Sequence, residues 1–139
     1  MEHKVTWLVE DRVIHIDVWG EYEIETVKKV VAASKILADL STPPMHVIWD
    51  MRRVTNMTRD LRDPINEMSS VRYHPKLGWI TIISTSTIIR FAGQIVSRFL
   101  GANYRGVSTF DEAVETISNI DPTVADALQK TLPISSQTT

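Results

Sequence analysis

The stretch HVIWDMRRVTNMTRDL, residues 46–61, starts as a buried strand, meets an acid at Asp50 and two arginines at Arg52 and Arg53, and runs on into polar residues. On its amino-terminal side STPP, 41–44, stops whatever helix precedes it, because the residue before a proline is pushed out of the helical region and proline breaks the hydrogen-bond ladder. Met45 to Asp50 therefore reads as a strand that breaks off at the acid. Beyond it Leu61, Ile65 and Met68 predict a second helix, with Thr58 as its cap and Pro64 in its first turn. A buried strand held between two helices is the unit of an α/β sheet with crossover connections.

The flanking sequence repeats that unit. KVTWLV and RVIHIDVW, within residues 4–19, are two strands around the turn-like pair Glu10 and Asp11. In the second, Val13, His15, Asp17 and Trp19 alternate with Ile14, Ile16 and Val18, the period of a half-buried strand. Gly20 ends this hairpin. From Glu23 to Leu40, apolar residues Ile24, Val27, Val30, Val31, Ile36, Leu37 and Leu40 recur at helical spacing and predict a surface helix with one buried face. GWITIIS, 78–84, is a fourth strand, followed by an apolar helix from Ile88 to Leu100 that Gly101 closes. NYRGVS is a weaker strand, and Thr109 stands three residues before Glu112 at the spacing of a capping box. Phe110, Ala113, Val114, Ile117 and Ile120 form the apolar face of the helix that follows, and Asp121 and Pro122 restart a short one. The predicted order is ββαβαβαβα with a small terminal helix: one α/β domain over 1–132, a mixed sheet of four to five strands packed by helices, and a frayed tail at 133–139.

Composition narrows the function. The chain has 139 residues, 43% hydrophobic and 23% charged, the make-up of an ordinary globular domain. A formal net charge of −2 gives no electrostatic reason to expect nucleic acid or an anionic membrane as the main partner. Without cysteine there is no disulfide, thiolate metal site or cysteine nucleophile. The start, MEHKVTWLVEDR, carries charges where a secretory signal needs an apolar core, and no run approaches the roughly 20 apolar residues of a membrane span. The expectation is a cytoplasmic protein.

The hairpin ending in Gly20, the VIWDMRRV strand, the GWITIIS strand and the terminal YRGVSTFDEAVETI together resemble the STAS-type superfamily, whose fold is that of sporulation anti-sigma-factor antagonists, and more closely its bacterial STAS/SEC14-like branch. The resemblance implies a non-enzymatic module that docks a protein partner through the region after the third strand. In the family an Asp-Ser-Ser-Gly motif there carries a phosphorylatable serine. Counted from Asp50, that motif falls on Thr58, Arg59, Asp60 and Leu61, so the serines are absent and the phospho-switch does not transfer. The SEC14-like half of the resemblance implies the alternative, a carrier or sensor that encloses an apolar or acidic small molecule.

No catalytic motif competes with these readings. There is no G-x-S-x-G elbow and no phosphate-binding glycine loop, and no histidine has HExxH spacing. His15 and Asp17 share a strand face but lack further ligands for a metal, so a structural role is the default; no metal and no cofactor are expected. The candidate site is the rim where parallel strands end, which gathers Tyr22, Asp50, Arg52, Arg53, Thr58, Asp60, Thr85 and Ser86. There an arginine with hydroxyls and free backbone N–H groups could hold a carboxylate or phosphate. The plain alternative is that Arg52 pairs with Asp50. Finally, TIIRFAGQIVSRFLG, 87–101, has more apolar side chains than one sheet-facing stripe needs. Ile88, Phe91, Ile95 and Phe99 are its candidates for a homodimer interface.

Overall fold

The computed structural model describes residues 1–68 and 74–132, with the side chains of all of these except Met68, Phe99 and Leu100. The expected tail at 133–139 and the expected interface side chain of Phe99 lie outside the described residues. The elements run β1 Glu2–Val9, β2 Val13–Glu21, α1 Ile24–Leu40, β3 Met45–Thr55, α2 Arg62–Met68, β4 Leu77–Ile83, α3 Thr87–Leu100, β5 Asn103–Val107 and α4 Phe110–Ile120; a 3₁₀ turn, Pro122–Val124, leads into α5 Ala125–Gln129. The sheet has the order β1-β2-β3-β4-β5. β1 is antiparallel to β2, and β2 through β5 are parallel.

This order explains where the helices lie. Right-handed crossovers that always step in the same direction along a sheet put every crossover helix on one face. Side chains of α1 and α3 accordingly share a core with Ile14, Ile16, Val47, Trp49, Met51 and Ile80. The last helices take the opposite face, where Ala113, Val114, Ile117 and Leu128 pack on Val13, Ile48, Ile83 and Val107. Ser86 caps α3 by accepting from the N–H of Ile89 at 3.3 Å, Gly101 closes it at φ 66°, and Thr109 caps α4 by accepting from Glu112 N at 3.1 Å.

Three expectations need correction. The strand does not break off at Asp50. It runs on through Arg52 and Arg53 to Thr55, because β2 also continues, pairing Trp19 with Arg53 and Glu21 with Thr55. Between Asp17 and Trp19 the register shifts by one residue, so β3 carries an extra residue there, a bulge that charged side chains tolerate at the solvated end of a sheet. Second, Thr58 does not cap α2. Its hydroxyl is occupied within the loop, accepting from Asp60 N at 3.1 Å, and the first helical bond runs from Ile65 N to the carbonyl of Leu61 at 3.0 Å. Pro64 does fall in the first turn. Third, the apolar residues of α1 do not all face the core. Ile36 is 63% and Leu40 68% exposed, while Thr26, Val27, Val30, Val31 and Ala38 are buried. At 3.6 residues per turn Ile36 sits about 180° around the helix from Val27.

Candidate functional site

The upper half of the β2–β3 pair, on the face that α4 and α5 cover only in part, is a cleft of about 620 Å³. Its floor follows from strand alternation. His15, Asp17 and Trp19 project from one face of β2, and register places Asp17 beside Asp50 on β3. Two adjacent carboxylates repel unless cations intervene, and the bulged strand supplies them two and three residues after Asp50. Arg52 grips Asp50 with both prongs, Nε to Oδ1 at 3.0 Å and Nη2 to Oδ2 at 2.6 Å, and adds its backbone N–H at 3.1 Å. Arg53 donates from Nη2 to Asp17 Oδ2 at 3.0 Å and lies over the Trp19 ring at 4.8 Å. Burial pushes the Asp50 carboxyl up, and the hydrogen bonds from Arg52 more than offset this, so it sits below its usual value. His15 is held below its usual value chiefly by burial; it meets Phe110 edge-on at 5.6 Å, and its Nε2 is buried without a partner among the described residues.

The cleft is thus a neutral deck of two ion pairs. Each arginine spends hydrogen-bonding capacity on a neighbouring aspartate, the plain alternative anticipated for Arg52. The other expected site residues are distributed differently. Tyr22 lies on the opposite face, packed against the core beneath α1 and α3. Thr85 is exposed in the β4–α3 loop, and the Ser86 hydroxyl is engaged in capping α3. Asp60 precedes α2 and pairs with Arg62, Nη2 to Oδ2 at 2.6 Å, which holds its carboxyl at about 2. Thr58 shares that loop. All of these belong to the end of the molecule where the parallel strands terminate, but they form four separate groups: the ion-pair deck, Tyr22 on the opposite face, the 56–61 loop, and the start of α3.

At the start of α3, Ile88 is 56% and Phe91 61% exposed, with Ile95 half-buried on the same stripe. At the far end of the sheet lies a second polar cluster that sequence reasoning did not find. Asp121 Oδ2 accepts from Arg12 Nη2 at 2.7 Å and from His46 Nε2 at 2.9 Å, while Oδ1 accepts from Thr123 N at 3.1 Å. The Trp79 backbone N–H donates to His46 Nδ1 at 3.0 Å, which orients the ring so that Nε2 meets Asp121. The four partners come from distant parts of the chain, and no spacing announces them. No cluster of three metal-ligating side chains occurs among the described residues. No helix among them is long and apolar enough to cross a membrane.

The order β1-β2-β3-β4-β5, an antiparallel leading strand and crossover helices on one face define an α/β protein with a SpoIIAA-like fold. Three solved structures share it. An uncharacterized protein of the DUF3478 family from Shewanella loihica PV-4, itself described as SpoIIAA-like in fold, superposes with a TM-score of 0.59 at 12% identity, over 83% of this chain and 91% of that one. The anti-sigma factor antagonist SpoIIAA in its unphosphorylated form gives 0.54 at 16% identity, over 85% and 97%. The Bacillus cell fate determinant SpoIIAA in the phosphorylated form gives 0.53 at 16%, over 84% and 99%. At these identities the likeness is one of fold. No protein-family model matches the chain, and no curated protein matches it significantly.

Proposed function

We propose that this chain is a non-catalytic binding and regulatory module that acts through protein contacts at the strand-end rim, with the start of α3 as its apolar anchor. One observation carries the reading: Ile88 and Phe91 stand more than half exposed beside Thr85 and Ser86, an apolar patch with hydroxyls at one end and exposed Arg98, seven residues on from Phe91, at the other. The shared fold with an anti-sigma factor antagonist supports the same class of function. Recognition here does not use the family's phosphoserine, because Asp60 stands in its place and Arg62 already holds that charge. Asp50, Arg52 and Arg53 fix the shape of the rim.

A photo-crosslinking residue at position 91, compared with one at Glu115 on the exposed side of α4, tests this in cells of the source organism. Discrete protein adducts at 91 and none at 115 are expected, and they should disappear when Ile88→Asp is added. Identical adducts at both positions would sink the reading.

A second reading, a module that encloses a small apolar molecule, is favoured by a different observation: two adjoining apolar cavities of about 50 and 80 Å³ beneath α1, α2 and α3, both lined by Trp49 and Ile80.

A further inference from the structure

Packing alone does not account for the bulge in β3. In a regular strand Arg52 and Arg53 would point to opposite faces. The register shift between Asp17 and Trp19 lets both line the cleft of about 620 Å³ that Asp17 and Asp50 floor. Both arginines are exposed, so their pairs with Asp50 and Asp17 return little of what an irregular ladder costs the sheet. A cleft of this size is within the roughly 300–1,000 Å³ of small-molecule sites.

Its lining is mixed in sign and has an apolar wall. Asp17, Asp50, Arg52 and Arg53 sum to zero charge, and Leu8 and Phe110 add hydrocarbon. Register sets Lys4 beside Asp17 and Glu2 beside Trp19, one further charge of each sign at the edge. A ligand of single charge would be attracted by half of this lining and repelled by the other half. A ligand carrying both charges meets a counter-charge for each.

The two aspartates are not equivalent. The Asp17 side chain is 26% exposed against 12% for Asp50, and Arg53 holds Asp17 by one bond where the Arg52 side chain gives Asp50 two. Asp17 thus keeps acceptor capacity for a cation. A guanidinium has five N–H donors, so both arginines retain donors for an anion. Arg52 is anchored at Asp50, one strand over from Asp17, and neighbouring strands lie about 4.8 Å apart. The seats for the two charges are therefore adjacent, as the ammonium and carboxylate of an α-amino acid are.

We propose that this cleft binds a free α-amino acid with an apolar side chain: its carboxylate on Arg52 and Arg53, its ammonium on Asp17, and its side chain against Leu8 and Phe110. A peptide holds its two termini further apart and does not meet both seats at once.

Titrating ¹⁵N-labelled protein at pH 7 with L-leucine, glycine, N-acetyl-L-leucine and L-leucinamide tests this. Leucine should shift the backbone amides of Asp17, Asp50, Arg52 and Arg53 saturably and leave those of Ile88 and Phe91 in place. Acetyl-leucine lacks the cation and leucinamide the anion, so each should bind roughly tenfold more weakly, the loss of one charge-assisted contact. Glycine should also bind more weakly, since it places nothing on Leu8 and Phe110. Asp17→Asn should weaken leucine roughly tenfold without weakening acetyl-leucine. Should that variant fail to fold, Arg53→Gln, at an exposed position, should weaken leucine and acetyl-leucine but not leucinamide. If acetyl-leucine or leucinamide binds as tightly as leucine, the cleft recognises a single charge and the amino-acid assignment is overturned. Glycine binding as tightly as leucine would remove the apolar wall from the site. If no compound moves these amides up to its solubility limit, the proposal falls, whatever crosslinking at position 91 shows.

Discussion

At the scale of single residues, Asp121 does most to tie separate segments together. Burial alone would raise its carboxyl; hydrogen bonds from Thr123 and His46, with the Arg12 charge, hold it at about 2, against an ordinary 3.8. A carboxyl depressed in the folded state contributes stability that is present above its unfolded pKa and lost as pH falls through the folded one, so the relevant window is about pH 4 down to 2. The shift corresponds to about 2 kcal/mol. Asp121→Asn should therefore lower the urea-unfolding free energy at pH 7 by about that amount, and the gap between native and variant should narrow near pH 2. A gap that stays constant with pH would remove the ionised carboxylate from the account. Sequence gave no hint of this cluster, because Arg12, His46, Trp79 and Asp121 are each ordinary in their own context and only the fold brings them within 3 Å.

At the scale of elements, the helices were legible as helices and only partly legible as faces. The period of apolar residues located α1, yet Ile36 and Leu40 belong to a second stripe that points away from the sheet. Val30, fully buried, lies on the first. Val30→Ala should cost about 2 kcal/mol by loss of buried hydrocarbon and the cavity left behind. Ile36→Glu should change stability by less than about 0.5 kcal/mol. Thermal unfolding of the two variants against the native protein checks the contrast, and a large loss in Ile36→Glu would mean that this stripe is covered in solution. The β3 extension was illegible for a related reason. Charged residues in sequence read as a strand end, but a bulge and a long partner strand keep Arg52 and Arg53 in the ladder while their side chains reach solvent.

At the scale of the whole molecule, the exposed stripe on α3 raises the question of what covers it. Ile88, Phe91 and Ile95 recur at i, i+3 and i+7, the spacing of one helix face, and a symmetric dimer would bury the stripe against its own copy. Such a dimer competes with the protein partner proposed for the same patch, so the two are read by different measurements. Sedimentation equilibrium at micromolar concentration should show association beyond the 15.8 kDa monomer, abolished by Phe91→Asp with the fold retained in its circular dichroism spectrum. A monomer throughout assigns the patch to a different protein.

From the sequence alone came the α/β class, the antiparallel leading strand, the parallel remainder, the caps at Thr109 and Gly101, and the surplus of apolar residues on α3. Each depends on neighbours within a few positions, where periodicity, capping and proline geometry act. Only the tertiary structure decided that Arg52 and Arg53 are matched by Asp50 and Asp17, that Tyr22 faces away from them, and that Trp49 lies between two apolar cavities. Those are outcomes of register and of which helix covers which face, and strand register is set by the summed packing of a whole face, which no local stretch of chain contains.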